Sequence, residues 1–183
     1  MSLEKLIKNC IKQNRKAQEE LYHLYKRPLF VLSLKYCSNE AEAEDNLHNA
    51  FIDIFTGIRK FENKGSFEGW MKRIVINKAI SSYRKSFLLV PIKDEYTQDT
   101  TVTVDDFDIS ADCILQLVQE LPNQYRLVFS LYELDDYSHK EIAAMLSITE
   151  STSKSNLHRA KQILKEKIKE QITSPTYTKQ HGN

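Results

Sequence analysis

Apolar residues recur along most of this chain at intervals of three and four, the spacing that lines one face of an α-helix. The stripe is widest from Glu40 to Ile58, where Ala43, Leu47, Ala50, Phe51, Ile54, Phe55 and Ile58 share one side. Before it, the pattern predicts a short helix over Leu3–Gln13 and a longer one over Ala17–Tyr36. The longer helix has Leu21, Leu24 and Tyr25 on its inner face and an irregularity at Pro28. After a loop at Phe61–Gly65, Ser66 opens a helix to Lys85 with Ile74, Ala79 and Ile80 inward. Helical spacing resumes from Ala111 to Glu120. It begins again at Pro122, a residue suited to a first helical turn, and runs to Leu134. No strand-turn-strand alternation recurs, and glycine and proline number only 4 each, so the chain reads as all-α.

The densest signal lies in SHKEIAAMLSITESTSKSNLHRA, residues 138–160. Ser138 and Glu141 make an S-x-x-E capping box, which starts a helix. Ile142, Met145 and Leu146 follow as one apolar stripe. Ser147-Ile148-Thr149 is the turn, with Thr149 placed to cap the next helix. On that helix Ser153, Leu157, Ala160 and Leu164 fall on one side. Ser151, Thr152, Lys154, Ser155, His158 and Arg159 occupy an opposite arc of roughly 160°. An arc of hydroxyls and cations with no large apolar group suits a duplex major groove, where cations meet phosphates and short donors and Arg meet base edges. The segment therefore reads as a helix-turn-helix.

Composition refines this picture. The 183 residues carry a net charge of only +1, which argues against a protein that coats nucleic acid by charge alone. Charge is unevenly spread, however. Cations exceed anions up to Lys85, whereas Ser86–Ala111 holds Asp94, Glu95, Asp99, Asp105, Asp106 and Asp108 against Lys93 alone. With Pro91, repeated Thr and no period, that stretch reads as a flexible acidic linker. The expected organisation is an N-terminal helical bundle at 1–85, a linker at 86–110, a helix-turn-helix domain at 111–172 and a disordered tail at 173–183. Cys10, Cys37 and Cys113 lack C-x-x-C spacing and read as reduced thiols of a cytoplasmic protein. The first residues lack a signal-peptide apolar region, and no window approaches about 18 consecutive apolar residues, so no membrane insertion is expected.

Two blocks together resemble one family. AEAEDNLHNAFIDIF with FENKGSFEGWMKRIVINKAISSYRK, within residues 41–85, looks like the second conserved region of bacterial RNA polymerase sigma factors. LPNQYRLVFSLYELDDYSHKEIAAMLSITESTSKSNLHRA, residues 121–160, looks like their fourth region. A chain with only these two regions and a linker resembles the extracytoplasmic function (ECF) group. The resemblance implies a promoter-specificity subunit that binds core RNA polymerase, recognises −35 and −10 elements and nucleates melting. It would touch the clamp helices of the largest subunit and the flap of the second.

The resemblance also assigns residues. Asp45 matches the acidic residue of the polymerase-docking helix; the next two motif positions, usually Gln and an acid, are His48 and Asn49 here. Asn77 matches the asparagine of the −10-opening helix, and Lys64, Lys72 and Arg73 would hold the single-strand backbone. Phe67 and Trp70 match an F-x-x-W whose expected role is core packing. Lys154, Ser155, His158 and Arg159 align with the −35 readers, and Thr152 joins them on the polar arc. Ser147 replaces the glycine common at the turn, and Ser153 replaces the usual inner Val. An anti-sigma protein is an expected partner.

Other chemistry finds little support. Asp45-x-x-His48 is one acid-x-x-His unit, where a dinuclear bundle site needs two. No G-x-x-x-x-G-K, G-x-S-x-G or H-E-x-x-H occurs, so neither enzymatic activity nor a metal or other cofactor is expected. His23, His139 and His181 read as solvated, and Tyr132, Glu133, Asp135 and Asp136 as a helix end and loop without an assigned site. Two alternatives are a free-standing helix-turn-helix repressor and a module that binds polymerase without DNA.

Overall fold

The computed structural model describes residues 2–62, 64–87 and 110–173. The chain divides into two units, Met1–Lys85 and Ser86–Asn183. Among the described residues every regular element is helical.

The N-terminal unit contains α1 (Leu3–Ile11), α2 (Arg15–Tyr36), α3 (Glu40–Gly57) and α4 (Phe67–Phe87), with one 3₁₀ turn at Ile58–Lys60. Side-chain caps set where these helices begin. Asn14 Oδ1 accepts the Ala17 N–H at 3.1 Å, Asn39 Oδ1 accepts that of Glu42 at 2.9 Å, and Ser66 Oγ accepts that of Gly69 at 3.0 Å. Each such cap contributes about 1 kcal/mol. The α3 stripe is buried as its spacing predicts, from Ala43 through Leu47, Ala50, Phe51 and Ile54 to Ile58, with Phe55 half-buried. It packs along α2, and Met71, Val75, Ile76 and Ile80 of α4 complete the core.

Two expectations for α2 fail. Its inner line runs through Leu21, Leu29, Leu32 and Tyr36, and Leu24 lies roughly 100° off that line; Leu24 is 57% exposed. Pro28 does not interrupt the helix. It sits on the exposed side, where water can take the carbonyl its missing N–H leaves unbonded.

Asn46 was not foreseen as a core residue. It is 6% exposed and sits between three helices. Its Nδ2 donates to Ser33 Oγ of α2 at 3.1 Å and to the Val75 carbonyl of α4 at 3.3 Å, while Ser33 Oγ donates to the Leu29 carbonyl at 3.1 Å.

The C-terminal unit contains α5 (Ala111–Gln119), α6 (Asn123–Phe129), a π-helical turn at Ser130–Leu134, α7 (His139–Leu146) and α8 (Glu150–Thr173). Leu117, Val118, Leu121 and Tyr125 form a core cluster with Ala160 and Leu164 of α8. Arg126 is 3% exposed. Its guanidinium donates to the Gln119 and Leu121 carbonyls, each at 2.9 Å, which satisfies backbone left open where α5 ends. The acidic linker expected at 86–110 and the tail expected at 173–183 fall outside the described residues except at their edges. There α4 runs on to Phe87, Ser110 caps α5, and α8 ends at Thr173.

Candidate nucleic-acid interface

In the C-terminal unit the local bonding expected from sequence is present. Ser138 Oγ accepts the Glu141 N–H at 3.3 Å, and the Glu141 carboxylate accepts the Ser138 N–H at 2.9 Å, the reciprocal pair of a capping box. After α7, Ser147 adopts φ +57°, ψ +44°, the left-handed conformation that favours glycine. The Ile148 N–H returns to the Ala143 carbonyl at 3.0 Å and closes the turn. Thr149 Oγ1 then accepts the Thr152 N–H at 3.0 Å and starts α8.

α8 is two-sided. Ser153, Leu157, Ala160 and Leu164 are all at most 7% exposed. Lys154, Ser155 and His158 are exposed on the other side, with Thr152 and Arg159 half-buried at its edge. Two of the three hydroxyls on this face, those of Thr152 and Ser155, are engaged locally. Thr152 Oγ1 lies 2.8 Å from Thr149 Oγ1, and Ser155 Oγ donates to the Ser151 carbonyl at 3.0 Å. Each keeps lone pairs able to accept from a base edge.

The inner serine has a partner that sequence reading missed. Ser153 Oγ lies 2.9 Å from His139 Nδ1, and the His139 ring stacks on Tyr132 with centroids 4.4 Å apart at 19°. His139 is half-buried, which corrects the expectation that it is solvated. Burial, and then the nearby Lys154 charge, lower its pKa below the ordinary histidine value, against a weaker opposite pull from Glu150. The neighbouring segment is the expected helix end and loop, with its last helical turn, Ser130–Leu134, of the π type. Its π-turn carries Tyr132 under the imidazole and Glu133 against Lys161 of α8 at 2.7 Å. The available signal was Ser153 itself, since a hydroxyl on an inner face requires a bonding partner.

In the N-terminal unit two helix faces carry the expected residues. On α3, Asp45, His48 and Asn49 are exposed, and Asn49 Nδ2 folds back to the Asp45 carbonyl at 2.8 Å. Ile52, one turn on along the same face, is 60% exposed and was not anticipated. On α4, Lys72, Arg73 and Asn77 are exposed. Lys72 pairs with Glu68 at 2.8 Å, and Lys64, in the loop before α4, pairs with Glu62 at 2.7 Å.

Beside Asn77 opens a cavity of about 310 Å³, walled by Asp53, Lys60, Trp70, Ile74 and Lys78; Lys78 and Asp53 form an ion pair there. Phe67 is buried and stacks on Trp70 at 5.5 Å and 24°. Of the two aromatics expected in the core, Phe67 lies fully inside, whereas Trp70 is half-buried and lines the cavity.

Comparison with known proteins decides what these faces belong to. Residues 21–86 match the model of sigma-70 region 2, and residues 111–164 match that of sigma-70 region 4. The chain is a member of the ECF group of RNA polymerase sigma factors. It is 28% identical over 192 residues to the ECF sigma factor SigW of Bacillus subtilis, covering 92% of this chain and 100% of that protein. It is 25% identical to SigE of Mycolicibacterium smegmatis, covering 81% of this chain and 60% of that one. Its fold resembles the sigma factor RpoE of Bartonella quintana, solved with the anti-sigma factor NepR, at a TM-score of 0.52 and 20% identity, covering 82% of this chain and 96% of that chain.

This sigma factor is a promoter-recognition subunit and performs no catalysis itself. It works with core RNA polymerase and promoter DNA. Among its described residues no helix is long and apolar enough to cross a membrane.

Proposed function

We propose the following division of labour among the residues of this sigma factor. The C-terminal domain, 111–172, reads the −35 element with Thr152, Lys154, Ser155, His158 and Arg159, Arg159 nearest to base edges and Lys154 mainly at phosphate. The N-terminal domain, 1–85, docks on the polymerase clamp helices through Asp45, His48 and Asn49. It holds the opened −10 strand with Lys64, Lys72, Arg73 and Asn77. The acidic linker, 86–110, lies in a basic channel of the polymerase, and the flap of the second subunit meets the C-terminal domain. The protein acts in the cytoplasm, and an anti-sigma protein holds it inactive, as NepR accompanies the Bartonella neighbour.

The single observation that supports this reading most is the two-sided α8. Its inner face is packed and its outer face presents Lys154, Ser155 and His158 to solvent behind a capped turn. Such a helix matches the recognition helix of a helix-turn-helix in its groove.

The test is to add the purified chain to core polymerase and map transcription starts on genomic DNA. New starts with a shared upstream sequence are expected. Asp45→Ala should lower polymerase affinity tens-fold or more, in line with about 2–5 kcal/mol for a truncated interfacial charge. Asn77→Ala should keep that affinity and lose permanganate-reactive, unstacked thymines. If Asn77→Ala abolishes polymerase binding and Asp45→Ala spares it, the two roles are reversed.

A further inference from the structure

We infer that Lys161 is a further contact to the DNA phosphate backbone and that Glu133 is its built-in competitor, occupying the ammonium until a phosphate displaces the carboxylate. This rests on the reading of α8 as the −35 helix.

The first observation is helical phase. Lys154, His158, Lys161 and Lys165 stand at i, i+4, i+7 and i+11 and fall within about 40° of one line along α8. The outer face that begins with Lys154 therefore continues about 10 Å further along the axis at Lys161. In a recognition helix the N-terminal residues reach base edges. The same face two turns later passes the phosphate backbone, where a lysine acts as a point charge without sequence preference.

The second observation is where Lys161 is held. Its Nζ lies 2.7 Å from Glu133 Oε1, with the side chains 53% and 31% exposed. Glu133 comes from a different element, the π-helical turn Ser130–Leu134. The pair is half in water, so it is worth at most about five-fold in an equilibrium constant. A phosphate contact releases a condensed counterion and gains strength as salt falls. The exchange of partners therefore favours DNA at low salt and approaches balance as salt rises. Glu133 is thus a brake on −35 affinity rather than a lock.

The test measures holoenzyme, formed from the full chain and core polymerase, binding a labelled duplex that spans one mapped start, over a range of KCl. Lys161→Ala should flatten the slope of log affinity against log salt by about 0.9, the value for one phosphate, and Lys154→Ala should do the same. Glu133→Gln should tighten binding by about 1.5- to 5-fold, and that gain should vanish in a Lys161→Ala background, since the two residues act as a pair. An unchanged slope in Lys161→Ala, with Lys154→Ala lowered, overturns the contact while leaving the −35 reading intact. Unchanged slopes in both variants overturn the −35 reading and the inference with it. A Glu133→Gln gain that persists undiminished without Lys161 overturns the competition, because general repulsion from the carboxylate would then account for it.

Discussion

Behind the candidate polymerase-docking helix of the N-terminal unit, the buried polar group is Asn46, bonded to a hydroxyl and a backbone carbonyl. Behind the candidate −35 helix of the C-terminal unit one buried polar group is Ser153, bonded to an imidazole. Both tie a functional helix to its neighbours, but their costs differ. Asn46 leaves its Oδ1 buried without a hydrogen-bond partner, a desolvation cost carried by the side chain. Ser153 is satisfied, although Asn156 on the same helix leaves its Nδ2 buried without a hydrogen-bond partner. The partners also differ in kind. Neither partner of Asn46 is titratable, whereas the partner of Ser153 is an imidazole whose pKa burial lowers. The first junction is fixed; the second depends on a proton.

The largest effect expected from this contrast is at Asn46. Asn46→Ala removes both bonds and leaves a small void, and should cost about 2 kcal/mol. Asn46→Leu fills the space and removes the unpaired oxygen, so it should stay within about 1 kcal/mol of the parent, because replacing a polar group by an apolar one of similar shape is often nearly neutral. Denaturant unfolding followed by the fluorescence of Trp70 isolates this unit, since the chain has 1 tryptophan. Equal stability of Asn46→Ala and the parent would show that the junction holds nothing together.

The same contrast explains what the sequence made legible. The capping box at Ser138 and Glu141, the Thr149 cap and the two faces of α8 rest on bonds between residues three or four apart, so a local pattern reveals them. The α3 stripe is equally local. Asn46 bonds across 13 and 29 residues, and His139 reaches Ser153 across 14; no periodicity contains those distances. Leu24 misled because an apolar residue at the margin of a stripe can face either way, and only the packing of α2 on α3 decides it. Arg126 carries no signal in the sequence pattern, since its role depends on the carbonyls exposed where α5 ends. The family resemblance supplied roles for Asp45 and Asn77, which chemistry alone leaves as two exposed polar residues.

A smaller effect is expected at Ser147. Its positive φ costs a residue with a Cβ about 1 kcal/mol, a cost glycine does not incur. Glycine adds conformational entropy to the unfolded chain, which offsets part of the relief. Ser147→Gly should therefore stabilise the C-terminal unit by about 0.5 kcal/mol, read as slower amide exchange in α7 and α8 with none in α1–α4. A loss of protection in α7 would mean that the serine side chain itself supports the turn.

The smallest effect is the proton dependence of the Ser153 junction, because one half-buried imidazole controls it. Three groups set its environment: the Tyr132 ring beneath it, and Lys154 and Glu150 from α8. Burial and Lys154 disfavour the imidazolium, so the folded pKa lies below the ordinary value of about 6.5. The unfolded chain therefore takes up the proton first as pH falls. Stability from this group is complete above about pH 6.5, is lost progressively down to the folded pKa, and changes no further below it, where both states carry the proton. His139→Gln cannot titrate. The difference between parent and variant in the thermal midpoint of the C-terminal unit should be flat above about pH 6.5 and shift against the parent below it. All other residues are the same in both proteins, so their contributions cancel in the difference. Saturating Lys154 with DNA phosphate should raise the His139 pKa, which the imidazole resonance in a pH titration reads directly. A difference curve that is flat through the whole range would mean that the ring accepts its proton without penalty, and the two junctions would then be equally indifferent to pH.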